Sequence, residues 1–230
     1  MDENITTLNQ VNVKSIFSRA YNSLSRHLYR FTKRSFDICF GLIGVVLTLP
    51  LALVVKIVYL LSDDYSSIFF VQERIGQGGG LFRFYKFRTM VPNAEQVLKK
   101  LLQTEPYASE WKNFQKLEND PRITKIGKLL RKTSLDEFPQ FFNILKGDMS
   151  LIGPRPLIKG ELDEHMGNHE LYESVRPGLT SWWAANGRSD VDYRERLAQE
   201  YFYVENQSLA LDLFCVFRTA KVVLLRKGAK

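Results

Sequence analysis

The chain has 230 residues, 45% hydrophobic and 25% charged, which excludes a disordered or fibrous protein and indicates one globular domain with a possible appendage. Two cysteines in apolar runs and three histidines in unrelated surroundings exclude a disulfide scaffold and a Cys/His zinc site, and fit a reducing, cytosol-facing location. The net charge of +7 indicates an anionic partner: nucleic acid, anionic lipid or a phosphorylated substrate. Both chain ends and residues 91–160 are basic, whereas residues 161–212 are acidic without an evident reason.

Residues 14–35 have a helical repeat of apolar side chains. These side chains recur at spacings of three and four, at Phe17, Tyr21, Leu24, Leu28 and Phe31. Basic residues occupy the opposite face, at Arg19, Arg26, Arg30 and Lys33. The pattern predicts an amphipathic helix lying in a membrane interface, and the alternative is a solvated helix packed on a core.

Residues 36–62 form the most apolar segment. Residues 38–55 carry no charge, and these 18 residues meet the minimum length for crossing a bilayer. Pro50 lies inside the run and predicts a kink or break, which leaves residues 38–49 too short to cross. Since both flanks are basic and short basic flanks prefer the cytoplasmic side, we predict a re-entrant helix. A straight spanning helix and a buried hydrophobic hairpin in a soluble protein are the alternatives.

The remaining chain, residues 63–230, is predicted to be one cytosolic catalytic unit. Residues 69–76 and 81–89 flank a glycine-rich turn and predict a β-hairpin. A phosphate-binding P-loop is disfavoured because a strand, not a GK[ST] helix start, follows the glycines. Residues 93–117 predict a helix interrupted at Pro106, and residues 123–132 predict a short basic helix.

Residues 134–137 read Ser-Leu-Asp-Glu and have the S-x-x-E pattern of a capping box. Pro139 is tolerated only near a helix start, so we predict that Asp136 lies at or beside a helix N-terminus, where the macrodipole favours its ionised form. An ionised carboxylate at an anion-binding helix end is well placed to meet a phosphoryl group. A purely structural role, in which Glu137 caps the helix, fits these residues equally well.

Three further features have more than one interpretation. Arg155 lies between Pro154 and Pro156, which suits either bidentate phosphate binding or a rigid linker. Trp182 and Trp183 suit a membrane interface, a nucleobase stack or a core. Near the carboxyl end, apolar residues share a helical face that suits either an interface or a core, at Leu209, Leu213, Phe217, Ala220 and Leu224.

Together these motifs resemble one family, the bacterial sugar transferases or monotopic phosphoglycosyl transferases. The resemblance covers about residues 33–228, and its ordered set is far more specific than any single motif. The matching stretches are Lys33-Arg34-Ser-Phe-Asp37, Lys86-Phe-Arg88-Thr-Met, Asn119-Asp-Pro-Arg122-Ile-Thr, Leu130-Arg131-Lys132-Thr-Ser-Leu-Asp136-Glu137, Gly147 to Pro156 and Arg176-Pro-Gly-Leu-Thr180.

The resemblance implies transfer of a sugar 1-phosphate from a UDP-sugar to undecaprenyl phosphate at the cytosolic face of the bacterial cytoplasmic membrane. It implies that Asp136 attacks the β-phosphate and releases UMP through a covalent aspartyl intermediate, and that Glu137 holds Mg²⁺. Galactose is the favoured sugar, with glucose or an N-acetylhexosamine as alternatives. Residues implied to bind the anionic substrates are Lys86, Arg88, Arg122, Arg155, Asn186 and Arg188.

The resemblance also implies an α+β monotopic fold with a re-entrant membrane helix, amphipathic interfacial helices and a helix-associated β-hairpin. We expect no large membrane bundle ahead of it, no nucleic-acid partner, and a possible homodimer. Two departures stand out: Leu49-Pro50 replaces the Ser-Pro of many relatives, and a glutamine common in relatives is missing near Trp183. A non-catalytic membrane-attached scaffold is the principal alternative, and a nucleic-acid-binding protein is disfavoured because no recognition motif is present.

Overall fold

The computed structural model describes residues 2–114, 117, 119–186 and 192–224, with side chains described from Ser25 onward except at 112–114 and 222–224. Helices dominate this part of the chain, and its strands form two small sheets. In chain order the elements are α1 (Asp2–Leu60), β1 (Phe69–Ile75), β2 (Leu81–Phe87), α2 (Ala94–Leu101), α3 (Tyr107–Phe114), α4 (Lys125–Thr133), α5 (Gln140–Lys146), β3 (Ser150–Ile152), α6 (Glu161–Glu164), α7 (His169–Tyr172), β4 (Gly178–Thr180), α8 (Trp182–Asn186), α9 (Tyr193–Glu205) and α10 (Leu209–Leu224).

The first helix is continuous from Asp2 to Leu60 and contains Pro50. The predicted interfacial helix of residues 14–35 and the predicted membrane segment are therefore one element. The helix is not broken into two at Pro50, and a kink there stays a prediction. Proline removes only one intrahelical hydrogen bond, and tertiary contacts on both sides of Pro50 hold the helix together. Among the described residues, Ser25–Leu60 is the one helix long and apolar enough to cross a membrane.

One face of α1 lies on the rest of the protein. Its buried residues follow helical spacing, and they are mostly small or polar: Asp37, Gly41, Gly44, Thr48, Val55 and Tyr59. The carboxylate of Asp37 accepts hydrogen bonds from the Ser150 hydroxyl at 2.9 Å and the Leu151 amide at 2.8 Å. The other face is apolar and exposed, at Phe40, Ile43, Val46, Leu47, Val54 and Ile57.

Lys33 departs from the predicted arrangement, which placed it on the polar outer face of an interfacial helix. Its ammonium donates to Asp212 Oδ2 at 2.8 Å and to the Tyr203 hydroxyl at 3.0 Å. Tyr29 also donates to Asp212, at 3.0 Å. Because Asp212 lies on α10 and is buried, this cluster joins the two ends of the chain.

The predicted β-hairpin is confirmed. Strands β1 and β2 are antiparallel, in a register that pairs Phe69 with Phe87 and Ile75 with Leu81. Its base contributes Phe87 to a core cluster with Val55, Tyr59, Ile68 and Leu130. Its second strand contributes Phe82 and Phe84 to another cluster, with Ile144 and Met149. The hairpin is thus packed between α1 and the segment around α5.

A second sheet was not predicted: β3 and β4 pair in parallel and bring together two separate glycine-containing motifs. The Gly153 amide donates to the Thr180 carbonyl at 3.0 Å, and the Gly178 amide donates to the Pro154 carbonyl at 2.8 Å. A Cβ on Gly153 would lie 2.3 Å from the Arg176 carbonyl oxygen, so the two motifs approach too closely for a side chain there.

Contacts with basic residues explain part of the acidic stretch of residues 161–212. Several of its carboxylates contact basic residues: Asp212 contacts Lys33, and Glu161 lies 3.9 Å from Arg74 and 3.5 Å from Arg196. On α10, by contrast, Leu209, Leu213 and Phe217 are exposed, so the predicted apolar face of this helix does not pack on a core.

Candidate active site

Asp136 and Glu137 lie in a short 3₁₀ turn, Leu135–Glu137, between α4 and α5. Ser134 ends α4 in the left-handed conformation, with φ of 56°, which few residues other than glycine adopt. Its side chain makes no capping hydrogen bond, and α5 begins only at Gln140, so the predicted capping box is wrong. The dyad precedes the helix in a strained connection instead of lying in its first turn.

The predicted effect of a helix dipole on Asp136 is also wrong. The pKa of this carboxyl is raised from 3.8 to about 6, chiefly by burial and also by the neighbouring Glu137. The positive charges of Lys86 and Arg131 oppose this shift and lower the pKa. Because the pKa still lies below 7, about nine tenths of the carboxyl is ionised at neutral pH. Asp136 is a poorly solvated carboxylate beside two cations, which suits a nucleophile.

Lys86 reaches the dyad from β2. Its ammonium lies 2.8 Å from Glu137 Oε1 and also over the ring of Phe84, 5.5 Å from the centroid. Glu137 is more than one third exposed at its side chain, so this pair is open to a ligand. The sequence-predicted residues Asp136, Glu137 and Lys86 are therefore brought together in the structure.

The dyad turn is attached to α1 on both sides. Leu135 and Phe138 pack against the cluster that contains Val55 and Tyr59 of the first helix. The buried Thr48 hydroxyl lies 3.2 Å from the Phe138 carbonyl oxygen and 2.7 Å from that of Gly44. The candidate site thus lies directly against the apolar helix, near Pro50.

Two of the proposed substrate-binding arginines are engaged elsewhere. Arg88 is buried, and its guanidinium donates to Asp64 Oδ2 at 2.9 Å and to the carbonyls of Ser67 and Met90. Arg122 is buried in an ion pair with Asp120 at 2.6 Å. Since all three guanidinium nitrogens of Arg88 and two of the three of Arg122 donate to protein groups, the structure assigns both residues to holding loops in place. The expected substrate contacts of these two arginines do not fit this geometry.

Arg155 lies in a different basic cluster, with Arg74 and Arg196. Its backbone is fixed, because its amide donates to Glu200 Oε1 at 3.2 Å and its carbonyl accepts from the Tyr172 hydroxyl at 2.8 Å. The side chain is exposed, as phosphate binding requires. Glu200 is fully buried, and burial raises its pKa to about 7.

The last two predicted contacts lie near α8. The Asn186 amide donates to the Trp182 carbonyl at 2.9 Å, a bond within the helix, and Arg188 lies outside the described residues. Trp182 packs against the cluster that contains Tyr203 and Cys215, and its ring lies 5.2 Å from that of Phe202. The core interpretation of Trp182 is therefore the correct one.

Comparison with known proteins decides the family. The family model described as "Bacterial sugar transferase" matches residues 28–226, nearly the whole chain. The chain belongs to the bacterial sugar transferase family.

Several relatives support the same conclusion. The chain is 45% identical over 212 residues to the undecaprenyl-phosphate galactose phosphotransferase of Salmonella typhimurium, covering 92% of this chain but 44% of the relative. It is 43% identical to the exopolysaccharide production protein ExoY of Sinorhizobium fredii, covering 86% of this chain and 88% of the relative. It is 36% identical to an N-acetylgalactosaminephosphotransferase of Aeromonas hydrophila, covering 88% of this chain and 46% of the relative. The chain therefore spans less than half the length of some relatives and most of the length of another.

In this sugar transferase, sequence reasoning missed two residues beside the dyad. Arg131 was recognised as part of a motif but not as a site residue, although its charge lowers the pKa of Asp136. Its Nε donates to Thr89 Oγ1 at 2.9 Å, which orients it. The sequence feature that points to Arg131 as a site residue is its position five residues before Asp136, in the last turn of a basic helix. No local sequence pattern identifies Thr48 as a site residue, because its partner Phe138 lies 90 residues away.

Proposed function

We propose that this chain transfers galactose 1-phosphate from UDP-galactose to undecaprenyl phosphate, releases UMP, and initiates assembly of a surface polysaccharide. The observation that carries the proposal is the location of the dyad, where a half-buried carboxylate lies near two cations and against an apolar helix. A polyprenyl phosphate has its reactive group at the membrane surface, so an enzyme acting on it needs its nucleophile there. The names of the galactose phosphotransferase relatives support the substrates.

The proposed chemistry has two displacements at one phosphorus atom. A carboxylate oxygen of Asp136 attacks the β-phosphorus of the UDP-sugar, and the bond to the bridging oxygen breaks, so that UMP leaves. An oxygen of undecaprenyl phosphate then attacks the same phosphorus, and the bond to Asp136 breaks. The products are an undecaprenyl diphosphate sugar and the original carboxylate. Lys86 and Arg131 stabilise the negative charge on the phosphoryl oxygens during both steps.

Mg²⁺ fits the dyad, because this ion prefers oxygen ligands and is usually held by one or two carboxylates together with substrate phosphates. Within the described part of the chain, no group of three or more His, Cys, Asp or Glu side chains could hold a metal ion. Glu137 would therefore hold the ion jointly with the diphosphate of the donor. When bound, the ion supplies charge neutralisation to that diphosphate.

The proposed membrane attachment follows from the contacts of α1. Polar contacts to the domain occur at Arg34, whose guanidinium donates to the Ile144 and Leu145 carbonyls, and at Tyr59, whose hydroxyl donates to the Arg88 carbonyl. These residues are about 38 Å apart along a helix at 1.5 Å per residue. A helix crossing the bilayer would carry the domain into the hydrocarbon. A monotopic arrangement at the cytosolic face avoids this cost, with α1 bent at Pro50 so that it enters and leaves by one leaflet, and with α10 in the interface.

The decisive assay is release of UMP from UDP-galactose in detergent, with Mg²⁺ and undecaprenyl phosphate. We expect wild-type release, loss of at least a thousandfold in Asp136→Asn, and full activity in Glu95→Gln, which changes an exposed carboxylate on α2. Full activity of Asp136→Asn would refute the mechanism. A panel with UDP-glucose and UDP-N-acetylhexosamines tests the sugar separately.

The topology can be tested by cysteine labelling of intact cells in a Cys39→Ser background. Arg26→Cys and Asn206→Cys place exposed thiols before the apolar run and before α10. A monotopic protein protects both thiols from an impermeant reagent added outside. Labelling of Arg26→Cys alone would show that α1 spans the membrane.

The homodimer expected from the sequence stays a prediction.

A further inference from the structure

The hairpin begins with three consecutive exposed apolar residues. Phe69, Phe70 and Val71 are 40%, 45% and 48% exposed. A strand with one buried face alternates apolar and polar residues, so this run departs from the usual pattern. Exposed apolar residues also connect it to α1, at Leu60, Leu61 and Tyr65. An exposed apolar surface beside a catalytic site indicates a ligand or membrane contact.

The hairpin register separates the three residues by face. Phe70 is directly opposite Lys86, and directly opposite residues of an antiparallel pair project from the same face. Phe69 projects from the other face, where its ring lies 5.5 Å from that of Phe87. Val71 shares that other face because side chains alternate along a strand. Phe70 is therefore the exposed apolar residue beside Lys86.

The location of Lys86 indicates which kind of ligand fits beside Phe70. Its ammonium lies 2.8 Å from Glu137 of the dyad, so a phosphate that reacts at Asp136 comes close to this cation. The acceptor of the proposed reaction has its phosphate joined directly to a hydrocarbon chain. The first isoprene units then lie within a few carbon–carbon bonds of Lys86, and they need an apolar surface to avoid water. A cation beside an exposed phenyl ring complements both parts of this amphiphile.

We propose that Phe70 binds the isoprene units of the polyprenyl phosphate nearest to its phosphate. Phe70 thus forms the apolar part of an acceptor subsite on the hairpin, and Lys86 forms its charged part. This inference rests on the proposed function, and it identifies a residue that selects the lipid acceptor. Continuity with the exposed face of α1 lets the rest of the chain remain in the bilayer.

The experiment separates the two half-reactions. In Phe70→Ala we expect an unchanged burst of UMP from UDP-galactose without acceptor, because the donor step does not use this surface. With undecaprenyl phosphate present, we expect the KM for the acceptor to rise about tenfold, which is the effect of 1.4 kcal/mol. Phe70→Leu keeps an apolar side chain and should stay within about threefold of wild type.

Val71→Ala is the matched control, because Val71 is equally exposed on the same strand but projects from the other face. Its acceptor KM should equal that of wild type. The same comparison can be made with short acceptors. With dimethylallyl phosphate, which has a single isoprene unit, the acceptor KM of Phe70→Ala should still exceed that of wild type. With methyl phosphate, which has no isoprene unit, the two KM values should be equal. Thermal unfolding of each variant checks that it is folded.

Three results would overturn the inference: wild-type acceptor KM in Phe70→Ala, an equal effect in Val71→Ala, or an equal loss in the UMP burst. If wild type itself gave no UMP from any UDP-sugar, the proposed function would fail, and that outcome is distinct from all three.

Discussion

Two glycines on the buried face of α1 allow a quantitative test of how this helix lies on the domain. A Cβ added to Gly44 would lie 2.1 to 2.4 Å from three ring carbons of Phe141 on α5. A Cβ added to Gly41 would lie 3.4 to 3.5 Å from Leu145, which is ordinary contact. Both substitutions to alanine gain about 0.8–1.0 kcal/mol of helix propensity. The packing contacts therefore determine how the two variants differ.

In Gly44→Ala the Phe141 ring must move by more than an ångström, and overpacking of this kind costs about 1–3 kcal/mol. Gly41→Ala keeps its propensity gain. We therefore expect Gly44→Ala to be less stable than Gly41→Ala by about 1–3 kcal/mol. At about 2–4 °C per kcal/mol for a protein of this size, the Tm values should differ by several degrees.

The measurement is thermal unfolding of both variants in the same detergent, followed by tryptophan fluorescence. Wild type should lie between them, about 0.8–1.0 kcal/mol less stable than Gly41→Ala. Equal Tm values for the two variants would show that α1 does not pack on α5 through Gly44.

Three further predictions concern the site. Because folding raises the pKa of Asp136 from 3.8 to about 6, this carboxyl alone should lower the free energy of unfolding in EDTA by about 3 kcal/mol as pH rises from below 4 to above 6. Since Glu200 and Asp37 also have raised pKa values, urea unfolding of Asp136→Asn should show a fall that is smaller than that of wild type by about this amount. Thr48→Val should lower kcat about tenfold with little change in KM, Thr48→Ser should restore it, and Ser35→Ala, which loses a similar helix hydroxyl bond without a contact to the dyad turn, should match wild type. Arg88→Met should lower the Tm, because it leaves Asp64 and the Ser67 and Met90 carbonyls without their donor at a cost of about 1–3 kcal/mol, whereas a raised KM for UDP-galactose at unchanged Tm would contradict its structural role.

The elements that sequence predicted well are those with a local cause. The hairpin follows from two apolar strands around a glycine turn, and the division between α2 and α3 follows from Pro106. The pairing of β3 with β4 joins segments about 28 residues apart, and no local pattern specifies it. The continuity of α1 through Pro50 likewise depends on tertiary contacts, which sequence periodicity does not contain.

The candidate site shows the same limit. The motifs identified the dyad and Lys86, because residue type alone indicates their chemistry. Residue type did not distinguish Lys86 from Arg88, two positions along the same segment. Alternation along β2 carries Lys86 to the dyad, whereas Arg88 follows the end of the strand and is enclosed by Asp64, Ser67 and Met90. The pKa of Asp136 was mispredicted because burial, which the sequence does not show, outweighs the favourable local charges.

The packing of Val55 and Tyr59 has a consequence for making a soluble form of the enzyme. Hydropathy alone would place the domain boundary at residue 63. A chain that begins there lacks Val55 and Tyr59 of α1, which pack in the same core cluster as Phe87 and Leu130. The fragment 63–230 would expose that core to water and would lose the support of the catalytic turn. Helix α1 and the catalytic domain are therefore a single folding unit, and a shortened form must keep Val55 and Tyr59.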